Sequence, residues 1–78
     1  MIEYYFQTRP REALYKFDRE RFHFSESLVK TYDCEIFFPD SRYKGWHPYE
    51  LHLDPEEHFE RIPEEEAAVI AMGFEMSG

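Results

Sequence analysis

Residues 28–38 constrain the fold most, because their side chains alternate in character with a period of two. Apolar or aromatic side chains hold five of the six positions on one face, which reads Leu28, Lys30, Tyr32, Cys34, Ile36 and Phe38. Polar or charged side chains hold three of the five on the other face, Val29, Thr31, Asp33, Glu35 and Phe37. Successive side chains of a β-strand point to opposite faces. The pattern therefore predicts a half-buried central strand, which ends before Pro39 because proline cannot donate a ladder hydrogen bond.

Shorter segments alternate in the same way and offer partners for this strand. Residues 1–7 and residues 49–54 each read as a strand, and the connection over residues 39–48 is short enough for antiparallel pairing. Residues 12–24 allow two interpretations. One is a hairpin that turns at residues 18–21, and the other is a helix from Pro10 to about Arg21. The alternating aromatic residues favour the hairpin.

The C-terminal third carries helix signals. Asp54 can cap a helix with Pro55 at its first position, and Glu57 completes the capping pattern. Pro63 interrupts this helix, since its ring would clash with the carbonyl group of Phe59. A second helix is predicted over residues 63–72, with Gly73 just past its end. Its core-facing stripe reads Ala67, Ile70, Ala71 and Phe74.

These patterns predict one small domain over residues 1–78. Its fold class is α+β, a small antiparallel sheet of about four to five strands with one or two short C-terminal helices packed on it. Aromatic residues make up 19% of the chain, so the core is expected to be aromatic.

Cysteine content and hydropathy limit the environment of the chain. Cys34 is the single cysteine, which excludes an intrachain disulfide and a cysteine-based zinc site, and its place on the apolar strand face predicts a buried thiol. No apolar run approaches the roughly 20 residues that span a bilayer, and no signal-peptide pattern is present. We therefore expect a cytoplasmic protein without a membrane role, in the host cytoplasm if a phage encodes it.

Catalytic and metal-binding motifs are weak. His52 with Glu50 and His58 could bind zinc or manganese, but solvated or capping histidines explain the same residues, so we expect no metal and no cofactor. His23 could pair with Cys34 or Glu35 for acid–base chemistry, yet domains this small rarely enclose a substrate pocket, and we expect no enzyme. Basic side chains near the aromatic residues alternate with acidic ones, which argues against direct nucleic-acid binding.

Charge is distributed unevenly. Residues 1–48 are neutral, while residues 49–78 hold nine acidic side chains against Arg61 alone and so carry the whole net charge of −8. Such a segment suits a protein partner with a basic surface. The predicted partner-binding carboxylates are Glu56, Glu57, Glu60, Glu64, Glu65 and Glu66. The predicted aromatic anchors are Tyr43, Trp46 and Tyr49. Trp46 has a second interpretation, in which it closes the core over Ile36 and Phe38.

The leading hypothesis is a non-enzymatic acidic protein-binding module that inhibits a nucleic-acid-handling protein complex by occupying its basic surface. In size and charge the chain resembles the small acidic nucleic-acid mimics of phages, such as anti-restriction or anti-CRISPR proteins. A small structural or adaptor subunit of a larger assembly is the alternative, and a small enzyme or metal-binding domain is third. Solubilisation and helix capping also explain many of the glutamates.

Overall fold

The computed structural model describes residues 1–42 and 45–77, with the helical backbone alone given for residues 73–77. In this part of the chain, six strands form one antiparallel sheet that is accompanied by a single α-helix. The strands are β1 (Ile2–Gln7), β2 (Ala13–Asp18), β3 (Phe22–Phe24), β4 (Lys30–Phe37), β5 (His47–Leu51) and β6 (Glu60–Ile62). A 3₁₀ helix (Pro55–Glu57) joins β5 to β6, and α1 (Glu64–Ser77) follows β6. The predicted α+β class with an antiparallel sheet is confirmed, although the strands number six and the α-helix is one.

Strand β4 is the centre of the sheet, as predicted. Tyr32 pairs with β3 and with β5, and Ile36 pairs with β2 and with β5. A residue within a sheet can pair with one strand on each side. Strands β2 and β3 must therefore pair along one edge of β4, while β5 pairs along the other. Strand β1 pairs with the free edge of β2, and β6 pairs with β1. The sheet therefore runs from β5 at one edge to β6 at the other.

The predicted hairpin over residues 12–24 is wrong in its pairing. The segment forms strands rather than a helix, but β2 and β3 both pair with β4 and not with each other. Pairing with β1 and β4 occupies both edges of β2, so no edge remains for β3. Between the two strands the chain makes a tight turn, in which the Arg21 amide donates to the Asp18 carbonyl at 3.0 Å.

The central strand begins two residues later than predicted. Leu28 has a φ of 60° and is 80% exposed, because it lies in the tight connection between β3 and β4. Its amide donates to the Ser25 carbonyl at 2.8 Å, and the Ser25 amide donates to the Val29 carbonyl at 3.0 Å. A left-handed residue cannot continue a strand. The face expected to be polar also holds fully buried side chains, Thr31 and Phe37, so both faces of β4 are covered in part.

Two hydrophobic clusters cover the two faces of the sheet. The first contains Tyr5, Ala13, Tyr15, Phe17, Tyr32, Cys34, Ile36 and Leu51. Residues 52–59 carry the chain from the β5 edge to the β6 edge, and Phe59 stacks on Tyr15 with 4.9 Å between ring centroids. The second contains Leu14, Phe37, Ile62 and Ala67, with Trp46, Ile70 and Ala71 packed against it. The predicted aromatic core is thus divided between two faces.

The helical predictions are only partly correct. Asp54 caps as predicted, accepting a hydrogen bond from the Glu56 amide at 3.0 Å, but one 3₁₀ turn forms where a helix was expected. The chain then enters β6, because residues 60–62 pair with the open edge of β1. Helix α1 continues through Gly73, which therefore does not end it. The predicted stripe is confirmed at Ala67, which is buried, and Phe74 lies outside the described side chains.

Candidate protein-binding surface

The six predicted partner-binding glutamates lie on three consecutive elements at the β6 edge of the sheet. They occupy the 3₁₀ helix (Glu56, Glu57), the start of β6 (Glu60) and the first turn of α1 (Glu64, Glu65, Glu66). All six are exposed to solvent. We call this set the acidic edge.

Few cations neutralise the acidic edge. Arg19 Nη2 lies 3.5 Å from Glu56 Oε2. Arg61 lies within the edge in sequence, but its Nη1 is 3.9 Å from Glu3 Oε1, a carboxylate on β1. The remaining five glutamates of the edge form no ion pair with any described residue. Solvent balances their negative charge, and the positive end of the α1 dipole also favours the three that lie in the first turn of α1.

Arg19 is the main polar link between the sheet and the 3₁₀ helix. Its Nη1 donates to Asp54 Oδ2 at 2.9 Å and its Nη2 donates to Glu3 Oε1 at 3.3 Å, while the guanidinium lies 5.3 Å from the centroid of the Phe17 ring. The hydrogen bond from Arg19 lowers the pKa of Asp54. Burial opposes ionisation of Glu3, but hydrogen bonds from Tyr5 and Arg19 outweigh it and lower that pKa too. Sequence reasoning missed this contact because 35 residues separate Arg19 from Asp54.

We expect Arg19→Met to lower the free energy of unfolding by about 1–2 kcal/mol at neutral pH, since charge-assisted hydrogen bonds are lost at a partly exposed site. The pKa values of Glu3 and Asp54 are lowered in the fold. Their stabilisation is therefore complete above the unfolded pKa values of about 4 and disappears as pH falls below them. Urea unfolding across this range should show wild type and variant converging in acid. Arg42→Met, at an exposed arginine, is the control, and an equal loss in both variants would contradict this role for Arg19.

Trp46 packs against the second cluster and is half-buried. Its ring centroid lies 5.6 Å from that of Phe37 and 6.3 Å from that of Tyr4, and Lys16 Nζ lies 5.9 Å from the indole. Its packing partners are therefore Phe37 and Tyr4, not the predicted Ile36 and Phe38. Beside Tyr4 lies a groove of about 390 Å³, which Ile62, Pro63 and Glu64 also line. Tyr4 thus connects Trp46 with the first turn of α1.

The other two predicted anchors do not join Trp46 in the described structure. Tyr49 is 41% exposed and its ring contacts Tyr15, 5.9 Å away between centroids. Tyr15 belongs to the first cluster, so Tyr49 and Trp46 pack on opposite faces of the sheet. Tyr43 lies outside the described residues. The structure therefore separates Trp46 from Tyr49 and places them on opposite faces of the sheet.

A second groove, which we call the polar groove, is lined by residues of β2, β4 and β5 and has a volume of about 980 Å³. Its charged lining consists of Lys16, Asp18, Arg21, Asp33, Glu35 and Glu50. Lys16 Nζ lies 3.9 Å from Glu35 Oε2 across the β2–β4 pair. This groove mixes both signs of charge and so differs in character from the acidic edge.

The structure places the histidines and Cys34 differently from the metal site and the acid–base pairs that the sequence suggested. His52 Nδ1 lies 3.2 Å from Thr31 Oγ1, and among the described residues neither His52 nor His58 joins a group of metal-ligand atoms. The group that does form is His23, Asp33 and Glu50. Burial and then the charges of Asp33 and Glu35 raise the pKa of the Cys34 thiol to about 12, so it stays protonated at neutral pH.

None of the described helices is long and apolar enough to span a lipid bilayer. Comparison of the chain with protein-family models, with curated protein sequences and with solved structures finds no match.

Proposed function

We propose that this protein is a non-enzymatic protein-binding module whose acidic edge docks on a basic, nucleic-acid-binding surface of a partner protein. In this proposal it acts in the cytoplasm as an inhibitor, because it occupies the surface that the nucleic acid would use. The observation that carries the proposal is the unneutralised charge of the acidic edge. Five of its six glutamates form no ion pair with any described residue.

Exposed, unpaired carboxylates are well suited to steering a partner. Charges that no fixed cation screens within the protein contribute fully to the long-range field, which speeds encounter with an oppositely charged surface. The edge is also held by defined structure, since a strand and two helical segments carry it. Carboxylates fixed in this way present a definite charge pattern, whereas those of a disordered tail do not.

Local roles explain part of the same charge. Glu64, Glu65 and Glu66 lie in the first turn of α1, where carboxylates favour the positive end of the helix dipole by a few tenths of a kcal/mol up to about 1 kcal/mol each. A role in binding must therefore be separated from a role in helix stability. The chain offers a matched comparison, because Glu12, Glu20 and Glu26 are also exposed but lie outside the three elements that carry the acidic edge.

We expect the triple variant Glu64→Gln, Glu65→Gln, Glu66→Gln to associate with the partner about tenfold more slowly at low salt and to show a weaker salt dependence. Its control is Glu12→Gln, Glu20→Gln, Glu26→Gln, since each triple changes the net charge by the same amount, from −8 to −5 (−8 + 3). A pull-down from lysate identifies the partner, and surface plasmon resonance at several salt concentrations then gives the association rates. Equal slowing in both triples would mean that only net charge matters.

Competition with nucleic acid tests the inhibitory part of the proposal. If the acidic edge occupies a nucleic-acid-binding surface, duplex DNA or RNA should displace the wild-type protein from the captured partner. An unchanged association rate for the edge triple at low salt, together with no displacement, would reduce the acidic edge to a solubilising role.

One observation favours an adaptor subunit as a second candidate. Phe22 and Phe24 on β3 are 43% and 59% exposed, and Leu28 in the following turn is 80% exposed. Exposed aromatic and aliphatic side chains on a three-residue strand are suited to docking within an assembly. An adaptor that docks in this way would lose its partner on Phe24→Ser while tolerating the edge triple. An inhibitor that uses the acidic edge would show the opposite result.

A further inference from the structure

Asp33 and Glu50 lie directly opposite each other on neighbouring strands. Asp33 is on β4, Glu50 is its register partner on β5, and both line the polar groove. Side chains paired in this way have their Cβ atoms only about 5 Å apart, and like charges in such positions repel. Among the described residues, no lysine or arginine forms an ion pair with either carboxylate.

His23 reaches this acidic pair from a third strand. It lies on β3, with Nδ1 3.0 Å from Asp33 Oδ2 and Nε2 3.7 Å from Glu50 Oε2. An ionised aspartate only accepts hydrogen bonds, so Nδ1 must carry the proton that is donated to Asp33. In the neutral ring, the lone pair of Nε2 then faces the Glu50 carboxylate. Two electron-pair donors that face each other at 3.7 Å repel unless a proton or a metal ion lies between them.

Two lysines nearby are engaged elsewhere. Lys16 pairs with Glu35, and Lys30 lies over the rings of Phe22 and Tyr32. Arg21 also lines the groove, and its hydrogen bond with Asp33 is through the main chain, where the Arg21 carbonyl accepts from the Asp33 amide at 2.9 Å. The gap between His23 and Glu50 faces solvent, and no lysine or arginine of the described residues forms an ion pair with Glu50.

We propose that His23 and Glu50 bind a divalent transition-metal ion of the zinc class, with Asp33 as the carboxylate that orients His23. One ligand atom from each residue lies within 4.8 Å of the other two. Ligand atoms around a tetrahedral zinc ion lie about 3.3 Å apart, so small rotations of these exposed side chains bring His23 Nε2 and Glu50 Oε2, which are 3.7 Å apart, into range. Imidazole and carboxylate together suit zinc and its neighbours better than magnesium or calcium, which prefer oxygen ligands alone.

Asp33 gives His23 the orientation of a metal ligand. Metal-binding histidines commonly donate their second N–H to a carboxylate, which fixes the tautomer and directs the free nitrogen toward the metal. Three strands supply the three residues, and the sheet register therefore holds their spacing. The side chains are about half exposed, so water would complete the coordination and a further ligand could replace that water. This site is separate from the acidic edge and does not depend on the function proposed for it.

Titration of the full chain with zinc tests the proposal. We expect isothermal titration calorimetry near neutral pH to show one zinc ion bound per chain and the melting temperature to rise with zinc concentration. His23→Gln and Glu50→Gln should each weaken binding at least about tenfold, as loss of a ligand does. The matched controls are His58→Gln and Glu57→Gln, since both residues are exposed and outside the site. Cobalt substituted for zinc should give a visible d–d spectrum that the His23 variant loses.

Three outcomes would overturn the proposal. The first is the absence of any zinc-dependent heat or melting shift. The second is equal weakening in the site variants and the controls, which would indicate diffuse binding to surface carboxylates. The third is an NMR titration in which the His23 imidazole becomes protonated but its signals do not shift when zinc is added. That result would mean that a proton, and not a metal ion, lies between His23 and Glu50.

Discussion

Phe17→Ala is expected to lower the free energy of unfolding by about 3–5 kcal/mol, the usual result of removing a buried aromatic ring. Phe17 is fully buried and lies between two other rings of the first cluster. Its centroid is 5.9 Å from that of Tyr5 and 4.9 Å from that of Tyr32, both in edge-to-face arrangements. Domains of this size have little stability in reserve, so urea unfolding at room temperature should find much of the variant already unfolded.

Two further variants make the Phe17 experiment decisive. Val69→Ala on α1 removes an apolar side chain that is 68% exposed, so its free energy of unfolding should stay within about 0.5 kcal/mol of wild type. Phe17→Leu keeps part of the volume and should fall between wild type and Phe17→Ala. A loss below about 1 kcal/mol for Phe17→Ala would mean that the first cluster does not hold the fold together.

Local periodicity accounts for what the sequence predicted of the fold. The alternation before Pro39 identified the central strand, and the Asp54 capping pattern correctly located the start of a helical turn. Pairing is not local, which is why the hairpin prediction failed. The chain does turn at residues 18–21, but no feature of these residues reveals that β2 already has partners on both edges.

The missed strand β6 and the misjudged faces of β4 have a related cause. Residues 60–62 are too few to show a period, and they become a strand because β1 offers an open edge. The alternation places Phe37 on the more polar face of the strand, but α1 and Trp46 cover that end of the sheet and bury it. Side-chain period shows which residues share a face. It does not show which face another element covers.

The candidate sites also differ in how far local sequence can predict them. The glutamates of the acidic edge could be named from sequence, because residues 49–78 hold nine acidic side chains against one arginine, and the structure exposes all six. The Arg19 contacts and the His23, Asp33 and Glu50 cluster depend on register between distant strands. A shift of one residue between β4 and β5 would remove Glu50 from its place opposite Asp33. Sequence alone therefore named Glu50 and His23 as chemically capable residues without placing them together.

Trp46→Ala is expected to lower the free energy of unfolding by about 2–3 kcal/mol, less than for a fully buried tryptophan. The indole packs on Phe37 and Tyr4, while its half-buried position leaves part of the ring open to solvent. Trp46→Phe keeps an aromatic ring on Phe37 and should recover most of that loss. Thermal and urea unfolding of both variants check this prediction.

Binding of the Trp46 variants decides whether the exposed part of the indole is an anchor. Tyr4 places Trp46 beside the groove that Glu64 lines, so a partner on the acidic edge can reach the indole. We therefore expect the folded fraction of Trp46→Ala to bind the partner about 2 kcal/mol more weakly, as loss of an aromatic anchor does. Tyr49→Ala is the matched control, because Tyr49 packs on the opposite face, and its binding should be unchanged. Normal binding by folded Trp46→Ala would give Trp46 a packing role alone.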